Sequence, residues 1–162
     1  MKARALRLLA QREHSRAELE RKLWPRLLRD DAADADVDED DLRRRLQQAL
    51  DELQQRGLLS DRRTAEALLH AKAPRYGTRR LQALLQAKSL APELVDETLR
   101  RAGETELARA LEVWRRRFGT APADARERAR QMRFLLARGF EPAIAQRVLK
   151  LSGAGDDPLD EA

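Results

Sequence analysis

Apolar residues recur along most of the chain at spacings of three and four, the period of an α-helix that buries one face. Leu42, Leu46 and Leu50 show this spacing most clearly. β-Branched residues are scarce, and no segment alternates apolar with polar residues as a half-buried strand would. Glycine and proline residues interrupt the helical runs at short intervals. The pattern therefore predicts an all-α protein built from short helices.

One segment of this pattern occurs twice. Residues 80–99 align without a gap on residues 130–149, and Pro92 matches Pro142 as the residue that opens the next helix. In each copy a helical run ends in a basic and a small residue, and a hydrophobic residue follows. A fainter copy begins at Ser15. The repetition predicts three tandem three-helix repeat units that form an elongated, curved helical array.

Glycine residues and changes in charge indicate where these repeats begin and end. Eight of the twelve residues from Asp30 to Asp41 are acidic, and repulsion among them favours a loop. The predicted parts are a first repeat over residues 1–58 with an acidic insertion at 29–38, a second over 59–103, a third over 104–151, and a disordered acidic tail over 152–162.

Some helix ends carry residues that complete the hydrogen bonds of the backbone. Ser15 and Glu18 have the spacing of a capping box, in which each side chain accepts a hydrogen bond from the other residue's backbone N–H. Gly57 stands where a left-handed residue would end the preceding helix. Pro25 is expected to stop the second helix within a residue or two, because proline lacks the N–H that the helix needs.

Charge is distributed unevenly along the chain, whose net charge is +5. Residues 1–29 hold nine basic and three acidic residues, residues 30–61 hold four and eleven, and residues 62–150 hold twenty and ten. Two basic blocks separated by an acidic one indicate a polyanionic or acidic partner. The competing interpretation is that the basic residues form ordinary solvated helix faces. The basic candidates for partner binding are Arg79, Arg80, Lys88, Arg130, Arg133 and Arg138.

The chain offers few groups for catalysis or metal binding. It contains no cysteine, and its two histidines, His14 and His70, fall in different repeats without a carboxylate at helical ligand spacing. Glycine-rich phosphate loops and nucleophile motifs are also missing. The sequence therefore predicts a protein that is not an enzyme and needs neither a cofactor nor a metal ion.

The first ten residues do not have the apolar core of a signal peptide, because Lys2, Arg4 and Arg7 interrupt them. No apolar run is long enough to span a bilayer. No helix shows an apolar stripe that its own repeat would leave uncovered. We therefore expect a cytoplasmic, monomeric protein that does not bind membranes.

Three-helix units also occur in proteins that insert a recognition helix into the major groove of DNA. The predicted third helix of the second repeat carries Glu93, Asp96 and Glu97, which phosphates would repel. Sequence-specific DNA binding of that kind is therefore not expected.

Four segments resemble, in order, the successive signatures of the RecX regulatory proteins. They are residues 15–19 (SRAEL), 57–61 (GLLSD), 76–81 (YGTRRL) and 131–140 (QMRFLLARGF). The resemblance extends from residue 3 to about residue 150. Thr64, Thr78 and Ser89 depart from it, since the family usually has an aromatic residue, a proline and a glycine there. The acidic insertion is also longer than the family's first unit normally carries.

The resemblance implies a non-enzymatic modulator of RecA, the recombinase that polymerises on single-stranded DNA. Proteins of the family are understood to lie in the helical groove of the RecA filament and to restrain its ATP hydrolysis, strand exchange and coprotease activity. The alternative is a helical protein that binds DNA nonspecifically and acts without RecA. We expect the filament contacts to be made mainly by Tyr76, Arg79, Arg80, Arg130, Arg133 and Arg138.

Overall fold

Nine α-helices make up the part of the chain that the structure describes. The computed structural model describes residues 1–31 and 38–153, and these residues contain no strand. The all-α prediction is confirmed. The helices are α1 (Lys2–Gln11), α2 (Arg16–Asp31), α3 (Glu39–Gln55), α4 (Asp61–Lys72), α5 (Thr78–Gln86), α6 (Pro92–Glu104), α7 (Glu106–Arg117), α8 (Ala125–Ala137) and α9 (Pro142–Gly153).

The helices divide into two compact units. The first compact unit contains Met1–Ala67 and Gln86–Leu94, and the second contains Leu68–Leu85 and Val95–Ala162, as far as the chain is described. Helices α4, α5 and α6, which correspond to the predicted second repeat, are therefore shared between the two units. The limits of the three repeats stay a prediction.

Leucine residues of α2 and α3 form the centre of the first compact unit. Leu19, Leu46 and Leu50 are fully buried, and Leu23 and Leu53 lie in the same cluster. Their spacing of three and four along each helix gives that helix one apolar face. Burial of one such side chain contributes on the order of 2 kcal/mol, so these five leucines provide much of the driving force for packing α2 on α3.

Pro25 lies inside α2, which continues to Asp31, so the prediction that it would stop the helix is wrong. Proline inside a helix removes one backbone hydrogen bond and crowds the carbonyl group four residues earlier. Trp24 and Leu27, on either side of it, pack against the leucine cluster. This tertiary packing compensates for the local cost and keeps the helix continuous.

Residues at the edges of both predicted acidic segments belong to helices or cap one. Helix α2 includes residues 29–31 of the predicted insertion, and Asp38 caps α3 by accepting a hydrogen bond from the N–H of Asp40. Helix α9 includes Ser152 and Gly153, which the sequence assigned to the tail, and the hydroxyl of Ser152 donates to a carbonyl of that helix. Residues 32–37 and 154–162 lie outside the described residues.

The core of the second compact unit is formed by α7, α8 and α9. Phe140 and Val148 are fully buried, and Trp114 is 5% exposed. The indole N–H of Trp114 donates to Oε1 of Gln131 at 2.7 Å, and Gln131 is itself fully buried. This hydrogen bond satisfies two polar groups that would otherwise be desolvated without a partner.

Residues with a left-handed backbone conformation follow several helices. Gly57 (φ 68°) follows α3, as predicted, and Gly139 (φ 80°) follows α8. Ser89 adopts the same conformation (φ 51°) after α5, at the position where the resembling family usually has glycine. A Cβ atom crowds the following carbonyl oxygen in this conformation, which costs roughly 1 to 2 kcal/mol. The chain therefore carries backbone strain at Ser89 that glycine would remove.

Replacing Ser89 with glycine is expected to stabilise the protein. The Ser89→Gly variant should unfold at a higher urea concentration, with a gain of up to about 1 kcal/mol after the entropy cost of glycine is subtracted. The matched control is Gly57→Ala, which adds a Cβ atom in open space at a positive φ and should lose about 1 kcal/mol. Equal or lower stability of Ser89→Gly would contradict the assigned strain.

Candidate partner-binding surface

The start of α5 lies directly against the turn between α8 and α9. The N–H of Gly77 donates to the carbonyl oxygen of Arg138 (3.0 Å), and the N–H of Arg79 donates to that of Gly139 (3.1 Å). A Cβ atom at Gly77 would collide with the carbonyl oxygen of Gly139, so the approach requires glycine. This contact brings Tyr76, Arg79, Arg80 and Arg138 together, although the sequence separates them by about sixty residues.

A buried carboxylate holds the two helix starts at this contact. Glu106, at the beginning of α7, is 3% exposed. Its Oε1 accepts the N–H of Thr78 (3.0 Å) at the start of α5 and the N–H of Glu141 (3.3 Å) at the start of α9. Its Oε2 accepts the Thr78 hydroxyl (2.9 Å). One negative charge therefore satisfies the free N–H groups of two helices, whose dipoles also favour it.

The guanidinium of Arg109 joins two backbone segments next to this contact. It donates to the carbonyl oxygens of Ala73 (2.8 Å), Tyr76 (2.5 Å) and Ala102 (2.7 Å). Burial lowers the pKa of Arg109, and the nearby charge of Glu106 opposes that shift. Arg109 remains a cation at neutral pH, so it fixes the turn before α5 to the end of α6.

Arginine side chains stack on aromatic rings next to this junction. Phe118 and Phe134 form an edge-to-face pair with their centroids 5.1 Å apart. Arg130 lies 5.6 Å above the Phe118 ring and Arg138 lies 4.5 Å above the Phe134 ring. A stacked guanidinium loses rotational freedom but keeps its N–H edges available. The stacking therefore orients these cations towards carboxylates or phosphates without using their donors.

Six of the seven predicted partner-binding residues belong to the second compact unit. Tyr76 and Arg138 are half-buried, and the other four are exposed. The Arg80 guanidinium lies 6.0 Å from the Tyr76 ring centroid, and Arg79 is 3.8 Å from a carboxylate oxygen of Glu141. We call this set the arginine surface: Tyr76, Arg79, Arg80, Arg130, Arg133 and Arg138.

Two members of the arginine surface have donors left over. Nε of Arg138 is buried and makes no hydrogen bond among the described residues. Arg133 is exposed and forms no ion pair with any residue that the structure describes. The exposed donors of Arg133 are available to an acidic partner, and a charge-assisted hydrogen bond is stronger than a neutral one. The buried Nε of Arg138 is not accessible in this way.

Lys88, the seventh candidate, lies in the first compact unit and has a structural partner. Its Nζ is 2.6 Å from Oε1 of Glu18, which is 7% exposed. Burial would raise the pKa of Glu18, but hydrogen bonds from Arg12, Lys88 and the Ser15 N–H outweigh it and lower that pKa to about 2. The predicted capping box between Ser15 and Glu18 is confirmed, with both reciprocal bonds at 3.1 Å.

His14 belongs to the same network. Its ring is fully buried, with Nδ1 3.0 Å from the carbonyl oxygen of Arg12 and Nε2 3.1 Å from Nζ of Lys22. Burial lowers the pKa of His14, and the positive charges of Arg12 and Lys22 add to the shift. Within the described ranges, no group of three or more histidine, aspartate or glutamate side chains is arranged to hold a metal ion.

No helix in the described part of the chain has both the length and the apolar character needed to cross a membrane.

Sequence reasoning missed the two residues that hold the arginine surface in place. Glu106 and Arg109 sit at the start of a helix among other charges, where solvent exposure is the ordinary expectation. The stacking of arginine on Phe118 and Phe134 was also missed. One signal was available: Lys88 and Arg138 are aligned in the sequence repeat, and the carbonyl oxygen of each accepts a hydrogen bond from a residue far away in the sequence.

Comparisons with known proteins agree with the resemblance. Domain-family models described as "RecX, first three-helix domain" and "RecX, third three-helix domain" match residues 2–38 and 104–149. The regulatory protein RecX of Leptothrix cholodnii is 44% identical over 152 residues, which cover 94% of this chain and 88% of that protein. That of Ralstonia nicotianae is 42% identical over 163 residues, covering 98% and 94%. A crystal structure of a regulatory protein RecX is similar in fold, with a TM-score of 0.63 and 17% identity over 92% of this chain and 71% of that chain.

Removing the charge of Glu106 is expected to loosen the contact that carries the arginine surface. Glu106→Gln leaves one acceptor oxygen for three donors and places an NH₂ group against N–H groups. We therefore expect the free energy of unfolding to fall by about 1 to 3 kcal/mol. The control is Glu112→Gln on the same helix, whose exposed ion pair with Arg116 contributes less than about 1 kcal/mol. Equal stability of the two variants would contradict the role of Glu106.

Acid should weaken the first compact unit through Glu18. Because the pKa of Glu18 is lower in the folded chain than the ordinary value of 4.5, the stabilisation is complete above about pH 4.5 and is lost as pH falls towards about 2. His14 also destabilises the fold as pH falls below 6.5. Glu18→Gln should therefore be less stable at pH 7 and show a shallower decline between pH 4.5 and 2, measured by urea unfolding. A parallel decline in wild type and variant would refute this assignment.

Proposed function

We infer the function from one premise: the chain belongs to the RecX family of regulatory proteins. We propose that it regulates recombinational DNA repair by binding the RecA filament assembled on single-stranded DNA. Bound there, it inhibits ATP hydrolysis, strand exchange and coprotease activity. The proposal assigns no catalytic step and no cofactor to this chain.

The arginine surface is the observation that supports this proposal. Four of its residues are joined by the backbone contact between α5 and the turn after α8, and two are oriented by stacked phenylalanine rings. A rigid set of cations loses less side-chain entropy on binding than flexible side chains do. Such a surface suits a partner that presents acidic side chains in a fixed arrangement, as a regular protein filament does.

Direct nonspecific binding of DNA is the alternative function. Basic residues next to aromatic rings also occur in proteins that bind single strands, where bases stack on exposed rings. Here Arg130 and Arg138 already lie over Phe118 and Phe134, and both phenylalanines are partly buried. Arginine side chains therefore cover the ring faces on which bases would stack. This arrangement favours recognition of acidic groups over recognition of bases.

The two functions differ in how bare DNA affects them. We expect the protein to suppress ATP hydrolysis by RecA on single-stranded DNA at substoichiometric amounts, and excess bare duplex DNA should not reverse the suppression. A nonspecific DNA-binding protein would instead be removed by competitor DNA, and its affinity would fall by roughly 0.7 to 0.9 log units per log unit of salt for each phosphate contacted. Assays at two salt concentrations separate the two cases.

Charge reversal tests which residues make the contact. The triple variant Arg79→Glu, Arg80→Glu, Arg133→Glu should need at least roughly tenfold more protein for half-maximal suppression of RecA ATP hydrolysis, because the loss of even one charge-assisted hydrogen bond costs about 1.5 to 3 kcal/mol. The control reverses three exposed arginines of the first compact unit, Arg7, Arg26 and Arg45. Equal losses in the two triple variants would mean that total charge, not the arginine surface, determines binding.

A further inference from the structure

A groove opens where α7 and α9 end in the second compact unit. Its volume is about 500 Å³. We call it the terminal groove, and its lining residues are Leu111, Trp114, Arg115, Gly119, Thr120, Ala121, Leu151 and Ser152. Its wall combines the apolar side chains of Leu111 and Leu151 with the polar groups of Thr120 and Ser152, and Leu151 is 46% exposed. Arg115 contributes a cation that is exposed and forms no ion pair with any described residue.

A turn between helices is covered by a side chain elsewhere in this unit. Arg109 of α7 donates to Ala73 and Tyr76, in the turn between α4 and α5, and to Ala102 near the end of α6. The terminal groove is lined by the turn between α7 and α8 and by the end of α9, and no described residue fills it.

We propose that residues 154–162 of the same chain bind the terminal groove, with Leu159 against Leu111 and Leu151. The sequence of this segment, AGDDPLDEA, places one leucine among four carboxylates. The leucine matches the apolar part of the wall, and the carboxylates are opposite in charge to Arg115. The segment therefore has the chemistry that the groove would select.

Covalent attachment makes this pairing favourable even if each contact is weak. The segment begins at Ala154, two residues after Ser152, which itself lines the groove. Five residues lie between Gly153 and Leu159. An extended chain spans about 3.3 to 3.6 Å per residue, so the leucine can reach any part of the wall. A short linker gives an effective concentration in the millimolar range.

A second basic groove, of about 420 Å³, lies between α8 and α9 and is the rival position for this segment. Arg128, Arg147 and Lys150 line it with Ala143 and Gln146. It offers more positive charge but no large apolar side chain for Leu159. Since burial of a leucine contributes more than an exposed ion pair, the terminal groove is the better match.

The absence of cysteine from the chain allows a direct test without RecA. A nitroxide label attached to Ala162→Cys in the full chain should broaden the backbone amide NMR signals of Leu111 and Ala121 strongly. The signals of Arg128 and Gln146, in the rival groove, should be broadened less. Reduction of the label should restore all signals.

Changes within the segment supply the control. Leu159→Ser should abolish most of the broadening at Leu111 and Ala121, because the leucine contributes more to binding than the exposed ion pairs do. The changes Asp156→Asn, Asp157→Asn, Asp160→Asn and Glu161→Gln should reduce the broadening, whereas neutralising four exposed acids elsewhere, Asp40, Glu93, Asp96 and Glu104, should leave it intact. The proposal is overturned by stronger broadening at Arg128 and Gln146, by equal broadening of both grooves, or by broadening that Leu159→Ser leaves unchanged. Because RecA is absent, none of these outcomes bears on the proposed function.

Discussion

The buried carboxylate of Glu106 is the interaction on which the second compact unit most depends. It accepts the N–H of Thr78, the first residue of α5, and that of Glu141, the residue before α9. A charge is costly to bury unless it is fully hydrogen-bonded, and here three donors compensate for the lost water. The carboxylate therefore joins the two helix starts beside which the backbone contact of Gly77 and Arg79 with the turn after α8 forms.

The same kind of contact recurs in the first compact unit. There the hydroxyl of Ser15, before α2, donates to the carbonyl oxygen of Lys88 at 2.6 Å. In the second unit the N–H of Gly77, before α5, donates to that of Arg138. Lys88 and Arg138 are equivalent positions of the sequence repeat. Each unit therefore joins the turn before one helix to the turn after a later helix: the turn before α2 to the turn after α5 in the first unit, and the turn before α5 to the turn after α8 in the second.

Local signals in the sequence were enough to predict the helices and most of the positions where they begin and end. The capping box at Ser15, the left-handed Gly57 and the leucine stripe of α3 act over a few residues, so spacing alone reveals them. The prediction for Pro25 was wrong because the cost of proline in the helix is compensated by packing against residues that are distant in the sequence. Glu106 was missed for the same reason, since its partners are 28 and 35 residues away. The arginine residues of the candidate surface were found by charge, but their grouping required the fold.

Regulation by this chain, in our account, depends on cations that the fold positions before any partner is bound. Hydrogen exchange of the protein bound to RecA filaments on single-stranded DNA tests that claim most directly. We predict slower amide exchange in residues 76–81 and 130–140 when the filament is present, and little change in α1 and α3. Unchanged exchange in those two segments, with protection confined to other helices, would contradict it.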